Sequence, residues 1–379
     1  MTAASAMRPT GADLRALLAP HQPPCVSLYE PTHRSYPASR QEDPIRYRSL
    51  LHRAEKSLRE SYPARLVRPV LDKLERFGAD SGFWIEAAAG LAVFGSADDL
   101  KVFKLQQSVP ELLSVADRFQ IKPLIRSIQC DGRYQLLALT LAEATLYEGT
   151  RDSLDAVDLG DAPTTVAAAL GAELTQSSAK VGHGHGSGEQ PLDRERFFRA
   201  IDREILERAS KASRLPLVLA ALPEHQAHFR ALSHNPFLVA SGVELNPLAL
   251  SRAELRDAAW RAIEAYFEEG LRALLDAYGE ARGHGRGSDR LEDIAAAMAQ
   301  SRVGTLLLEA DRRVPGSVDT TLGTIHGSKD GQSDGGSDPR VSDVLDDLAE
   351  AALRTGGEVM VLQTARMPSK TGAAAIFRY

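Results

Sequence analysis

The sequence predicts a mixed α/β and α+β protein built from three consecutive domains, at residues 1–128, 129–234 and 235–379. Its length of 379 residues exceeds what a single ordinary hydrophobic core organises. Short apolar runs bounded by Gly, Ser and Asp alternate with amphipathic stretches, which predicts strands alternating with helices. Such alternation favours mixed sheets covered by helices.

The first domain is predicted to combine helices with short strands. Its long helix, at residues 44–61, places Leu50 and Ala54 on an apolar side and several cations on the other side. The other predicted helices cover residues 13–18 and 66–77. Strands are predicted at residues 25–29, 82–85, 90–95 and 101–105.

The second domain is predicted to open with a hairpin of two strands, at residues 134–140 and 144–149. A strand at 155–159, a helix at 194–209 and an apolar strand at 215–221 follow. Pro216 suits the start of a strand or an edge strand, because it cannot donate a ladder hydrogen bond.

The third domain is predicted to contain a long helix pair within residues 251–279 and to close with alternating strands and helices. The Gly-rich residues 282–287 are interpreted as a loop between helices. Residues 323–338 consist almost wholly of small and polar residues, so we expect them not to fold. Further helices are predicted at 290–299 and 341–354, and strands at 302–309, 358–362 and 373–379.

The composition describes a soluble protein of the reducing cytosol. A hydrophobic content of 43% and a charged content of 25% are typical of globular chains. The net charge of −6 argues against an overall grip on nucleic acid, including DNA, but permits a local basic face. Two cysteines are too few for a disulfide framework. We expect a cytoplasmic protein, because residues 1–20 do not form a signal peptide and no apolar run is long enough to span a membrane.

A glycine-rich segment, residues 182–190, stands directly before a predicted helix that Pro191 would start. Four glycines at alternate positions oppose both regular helix and well-packed strand. Such a segment either contacts a partner and carries chemistry, or is a flexible linker. The residues of the candidate contact loop are Gly182, His183, Gly184, His185, Gly186, Gly188, Glu189 and Gln190.

No metal or cofactor is expected. His183 and His185 supply two potential ligands, whereas stable zinc sites use three or four. Partial protonation of the two imidazoles would instead help the loop approach phosphates. Phosphate-binding, nucleophile-elbow and dinucleotide motifs are missing from the sequence.

A second candidate surface is basic and lies in the first domain. A solvated helix face is the alternative interpretation, since charge on amphipathic helices usually faces water and Glu55 and Glu60 partly balance it. The candidate RNA-contacting residues are His33, Arg34, Arg46, Arg48, Arg53 and Lys56.

Four segments together resemble a known family. Residues 26–33 and 43–46 near the start, and 356–361 and 374–379 near the end, are similar to the bacterial archaeo-eukaryotic release factor family. Members of that family resemble archaeal and eukaryotic class I peptide-chain release factors and Pelota. The resemblance implies a release-factor-like or Pelota-like architecture of three domains.

The resemblance also implies a role for the glycine-rich segment. In release factors the second domain carries a loop that ends in Gly-Gly-Gln and reaches the peptidyl-transferase centre. Gly188, Glu189 and Gln190 occupy that position here, with Gln190 as the candidate catalytic residue. Glutamate at the middle position adds bulk and a negative charge beside RNA phosphate, which opposes hydrolysis.

The expected function is that of a translation factor acting through the A site of idle, stalled or stressed ribosomes. Its expected partners are ribosomal RNA, tRNA and a translational GTPase contacted by the third domain. A peptidyl-tRNA hydrolase that uses Gln190 is one alternative. A stress-linked protein-interaction module without ribosome binding is another, and the acidic net charge suits it.

Overall fold

The computed structural model describes residues 9–33, 38–85, 88–130, 132–141, 143–160, 162, 164–165, 168, 189–327 and 338–379. The mixed α/β fold predicted from the sequence is confirmed. The chain forms two compact units, one made of Met1–Cys130 with Leu274–Tyr379 and the other of Asp131–Ala273. The division into three consecutive domains stays a prediction.

The first unit begins with an antiparallel sheet in the order β3-β2-β1-β4. Alternate residues of the central strand β1 point to opposite faces, so Leu28 packs under helices and Tyr29 enters a second core. The strands are β1 (Cys25–Pro31), β2 (Gly90–Gly95), β3 (Leu100–Leu105) and β4 (Leu112–Ala116).

Two long helices cover one face of this sheet through an apolar stripe that includes Leu50, Leu58 and Leu74. The helices of this part are α1 (Gly11–Leu17), α2 (Ala38–Gln41), α3 (Asp43–Ser61), α4 (Ala64–Gly78) and α5 (Lys122–Cys130).

The strand predicted at residues 82–85 is wrong, because Phe83–Ile85 form a short 3₁₀ turn. Aromatic packing explains the difference. The Phe83 ring lies 4.7 Å from that of Phe77, and the Trp84 ring lies 5.7 Å from that of Tyr47. These contacts hold both side chains against α3 and α4. The aromatic run that resembled a strand therefore packs on the two helices instead.

The second unit is built on a sheet in the order β7-β6-β5-β8-β9. The predicted hairpin is confirmed, since β5 and β6 are antiparallel. Strands β5, β8 and β9 are parallel, which makes β8 a central strand that begins just after Pro216. The strands are β5 (Tyr134–Leu139), β6 (Ala144–Gly149), β7 (Leu154–Ala156), β8 (Leu217–Ala220) and β9 (Leu238–Val243).

Three helices accompany this sheet: α6 (Glu189–Ile205), α7 (Pro223–Leu232) and α8 (Arg252–Gly283). The predicted helix pair within residues 251–279 is wrong, because α8 runs through the whole interval. Gly270 lies inside it, and a glycine weakens a helix without removing a backbone hydrogen bond. The predicted helix at 194–209 begins earlier and ends in a π-helical turn at Leu206–Ser210.

The first unit is completed by a sheet in the order β10-β15-β11-β14, in which β15 is antiparallel to both neighbours. Its helices α9 (Leu291–Ala299) and α10 (Val344–Arg354) contribute to the apolar core. The strands are β10 (Gly287–Ser288), β11 (Val303–Glu309), β14 (Glu358–Leu362) and β15 (Ala373–Phe377). The predicted loop at residues 282–287 therefore ends in a strand.

The expectation that residues 323–338 do not fold is wrong for their first part. β13 (Thr324–Gly327) pairs antiparallel with β12 (Gly316–Asp319). Val318 and Ile325 join the apolar core, and this contact holds the hairpin in place. Residues 328–337 lie outside the described residues. Within the described parts, no helix has the length and apolar character needed to cross a membrane.

Candidate functional site

The glycine-rich segment can be located only by its last two residues. Positions 182–188 lie outside the described residues, and with them His183 and His185. Glu189 and Gln190 are the first two residues of α6, so the segment leads directly into this helix as the sequence predicts. The catalytic role of Gln190 stays a prediction.

Helix α6 is firmly anchored in the second unit. Phe197, Phe198 and Ile201 are fully buried, and the Phe198 ring lies 5.8 Å from the ring of Phe229 in α7. At the far end of α6, the Asp202 carboxylate accepts hydrogen bonds from the Ser233 hydroxyl at 2.5 Å and the His234 amide at 2.8 Å. Helix α6 is therefore held by its residues from Phe197 to Asp202.

The start of α6 lies at the carboxyl edge of the parallel strands. Helix α7 begins at Pro223, immediately after β8 ends. The Arg194 guanidinium of α6 lies 3.2 Å from Nε2 of His228 in α7, so the second turns of the two helices are neighbours. Ligands of open α/β sheets bind outside the carboxyl ends of the strands. The predicted contact residues Glu189 and Gln190 thus begin α6 at the edge where such sites occur.

His225, in the first turn of α7, is a further candidate site residue, and the sequence did not reveal it. Its residue is 4% exposed, its ring packs 6.3 Å from that of Phe198, and Nδ1 has no partner among the described atoms. Burial lowers the pKa of this imidazole, so the neutral form is favoured. One histidine near a helix start carries no recognisable sequence signal, because its burial depends on a neighbouring helix.

The predicted basic residues of the first unit differ in their contacts, and the exposed Arg48 itself donates from Nε to the Pro44 carbonyl at 3.1 Å. Arg46 donates from Nη1 to the Pro31 carbonyl at 2.5 Å, and Arg53 pairs with Glu111 at 2.6 Å. Arg48 and Lys56 are exposed. Arg34 lies outside the described residues. An RNA-contacting role for this set stays a prediction, and Arg46 also supports the local fold.

His33 is oriented by a buried carboxylate that the sequence did not single out. Asp43 is 1% exposed and lies 2.7 Å from His33 Nδ1 through Oδ1. Its Oδ2 accepts the His33 backbone amide at 2.9 Å. Arg46 lies 3.8 Å from the same carboxylate. His33, Asp43 and Arg46 therefore form one polar cluster where β1 ends and α3 begins.

Glu30 lies next to this cluster, fully buried, with no hydrogen-bond partner for either carboxylate oxygen among the described atoms. Burial, followed by repulsion from Asp43, raises the pKa of Glu30 from 4.5 to about 8. The folded protein therefore binds a proton that the unfolded chain has lost between pH 4.5 and 8.

We expect the free energy of unfolding to fall as the pH rises through this window, by at most about 1.4 kcal/mol per unit. Glu30→Gln should remove this contribution, because the amide does not titrate. Urea unfolding at several pH values measures both slopes. Glu75→Gln, at an exposed position of α4, is the matched control and should keep the wild-type slope. Identical pH slopes for wild type and Glu30→Gln would contradict the assignment.

Potential metal ligands are scattered. Among the described residues, no group of three or more His, Cys, Asp or Glu side chains is placed to hold a metal ion.

One family model matches the middle of the chain. Residues 133–302 match the family model described as bacterial archaeo-eukaryotic release factor family 3. The family resemblance predicted from the sequence is thereby confirmed for this part of the chain. The matched segment contains the glycine-rich residues, α6 and most of the second unit.

Solved structures give distant matches. An archaeal translation termination factor, aRF1, is 16% identical, with 97% of this chain and 96% of that chain covered and a TM-score of 0.24. A chain from ribosome-bound archaeal Pelota and ABCE1 is 14% identical, with coverages of 74% and 72% and a TM-score of 0.40. Dom34 of S. cerevisiae is 14% identical, with coverages of 68% and 66% and a TM-score of 0.33. No curated protein matches significantly.

Proposed function

We propose that this protein is a cytoplasmic translation factor that binds in or near the A site of idle, stalled or stressed ribosomes. The observation that carries the proposal is the family match across residues 133–302, which contains a glycine-rich segment placed directly before an anchored helix. In this proposal residues 182–190 extend toward the peptidyl-transferase centre and contact a tRNA end. His33, Arg48 and Lys56 contribute contacts to ribosomal RNA.

The glutamate at position 189 favours contact over hydrolysis. A carboxylate 4 Å from a phosphate is repelled by about 1 kcal/mol in water and by more where water is excluded. Glycine at that position would bring neither charge nor bulk to the tRNA end. The protein therefore occupies the site without releasing the nascent peptide efficiently.

The partner proteins follow from the same proposal. Dom34 is described as interacting with Hbs1, and the archaeal Pelota structure is ribosome-bound with ABCE1. For this chain we propose that its carboxyl-terminal part contacts the ribosomal stalk base or a translational GTPase.

Co-sedimentation with ribosomes tests the binding step. We expect the wild-type protein to move into the ribosomal fraction of starved cells and to leave it as salt rises, since phosphate contacts depend on salt. Arg48→Glu combined with Lys56→Glu should reduce the ribosome-bound fraction severalfold. Arg65→Glu combined with Arg68→Glu, at two exposed positions of α4, makes the same change in charge and serves as the control. A protein that stays in the soluble fraction under every growth and salt condition would refute the proposal.

Peptide release from purified ribosome complexes separates contact from hydrolysis. Wild type should release little peptide, whereas Glu189→Gly, which restores Gly-Gly-Gln, should raise the release rate by about tenfold or more, a barrier change of about 1.4 kcal/mol. Adding Gln190→Ala to Glu189→Gly should abolish the gain. If wild type releases peptide efficiently and Gln190→Ala alone abolishes it, the protein is a hydrolase.

A further inference from the structure

Exposed leucines gather at one edge of the second unit. Leu141, Leu222, Leu245 and Leu248 are 49%, 38%, 51% and 64% exposed. We call these four residues the leucine edge. Single exposed leucines are ordinary on protein surfaces, but apolar side chains that converge on one place mark binding sites. Their positions in the sheet therefore matter.

The sheet topology brings the four leucines together. The parallel strands pair Ala138 of β5 with Ala220 of β8, and Ala220 with Val243 of β9. The three strands therefore end at the same edge, where neighbouring strands are about 5 Å apart. Leu141 lies two residues beyond β5 and Leu222 lies two residues beyond Ala220, in both cases just outside this edge.

Local structure holds the leucines outward. Leu141 lies in a tight turn closed by the Thr140 amide, which donates to the Glu143 carbonyl at 2.9 Å. Leu248 lies in a 3₁₀ turn, Pro247–Ala249, whose Leu248 amide donates to the Asn246 side chain at 3.1 Å. Leu141 and Leu248 thus lie beside hydrogen bonds donated by backbone amides, just beyond the ends of β5 and β9.

The rim of the leucine edge is acidic. Glu143, Glu224 and Glu244 stand one to two residues from these leucines and are all exposed. Among the described residues, two cations lie near this rim: the Arg194 guanidinium lies 3.2 Å from His228 Nε2, and Arg230 donates to the Val239 and Ser241 carbonyls. The three carboxylates outnumber these two cations. Three carboxylates around an apolar centre repel RNA phosphate and attract cationic protein side chains.

We propose that the leucine edge binds a basic protein segment that carries apolar side chains between lysines or arginines. The leucines would bury the apolar side chains, while the three glutamates would pair with the flanking cations. This inference goes beyond the proposed function, because it assigns a protein partner to the edge from which α6 begins and does not depend on contact between residues 182–190 and tRNA.

A fluorescent peptide of repeating Leu-Lys-Lys-Leu units is the probe. We expect the full-length protein to bind it with a Kd that Leu222→Ser combined with Leu245→Ser raises by about tenfold, equivalent to about 1.4 kcal/mol. Leu322→Ser, at a leucine 72% exposed in the first unit, is the matched control and should bind like wild type. Glu224→Gln combined with Glu244→Gln should weaken binding and flatten its dependence on salt.

Cross-linking locates the peptide. A photoreactive leucine in the probe should label residues 141–143, 222–224 and 244–248. Unchanged affinity in the double leucine variant, or labels confined to other surfaces, would overturn the proposal. Binding of an RNA oligonucleotide that is lost in the same leucine variants would assign the edge to RNA and would equally overturn it. Ribosome sedimentation of the double leucine variant is measured in parallel. It shows whether ribosome binding, the proposed function, persists when peptide binding is lost.

Discussion

Lys122→Met is expected to lower the free energy of unfolding by about 3–5 kcal/mol, the usual cost of leaving a buried charge unpaired. The Lys122 side chain is 2% exposed and its ammonium lies 3.1 Å from the fully buried carboxylate of Asp343. It also donates to the Arg312 carbonyl. Methionine fills the space but leaves the carboxylate and the carbonyl without their donor. Urea unfolding followed by fluorescence measures the loss.

Arg126→Ala provides the control on the same helix. Arg126 pairs with Asp311 at 2.8 Å, but Asp311 is 53% exposed, and such pairs contribute at most about 1 kcal/mol. Adding Asp343→Asn to Lys122→Met should recover part of the stability, since the amide removes the charge and its oxygen still caps α10. If Lys122→Met and Arg126→Ala lower the free energy of unfolding equally, burial of the Lys122–Asp343 pair has no energetic consequence.

Phe198→Ala is expected to destabilise the second unit by about 3–5 kcal/mol, through lost burial and the cavity left behind. The ring is fully buried and contacts the rings of Phe197, His225 and Phe229. Because it joins α6 to α7, amide exchange should accelerate in both helices. Hydrogen exchange followed by mass spectrometry resolves the effect by segment.

Arg199→Ala changes the next residue, which is exposed and pairs with Glu195 within α6. We expect it to alter stability by less than about 0.5 kcal/mol. If exchange in α7 is unaffected by Phe198→Ala, the two helices do not depend on each other, and the anchoring of α6 described above is incorrect.

The sequence predicted the strands and helices whose own residues carry a clear apolar pattern. The runs that became β1, β2, β5 and β8 are apolar enough to be recognised, as is the amphipathic α3. Helix α5 was missed for a physical reason. Its first amides, from Ile121 and Lys122, are capped at 2.8 and 2.6 Å by Asp346, more than 220 positions away. A window of neighbouring residues cannot contain that signal.

The candidate site shows the same division. The sequence placed Gln190 directly before a helix that Pro191 would start, and the structure begins that helix two residues earlier, at Glu189. His225 and Glu30 were beyond prediction, because their interest lies in burial and in missing partners, which tertiary packing creates. The leucine edge was also invisible, since its residues are separated in sequence and only the order of parallel strands brings them together.

The order of strands in the closing sheet has a consequence for synthesis of the protein. Strand β15, the last in the sequence, lies between β10 and β11, which are translated earlier. Because chains emerge from the amino terminus at about 5–20 residues per second, this sheet lacks an interior member until β15 has been translated. The contiguous second unit can fold earlier, whereas the first unit must wait for residues that are encoded after the second unit. A ribosome that halts late on this message therefore holds a nascent chain with a finished second unit and an unfinished first one.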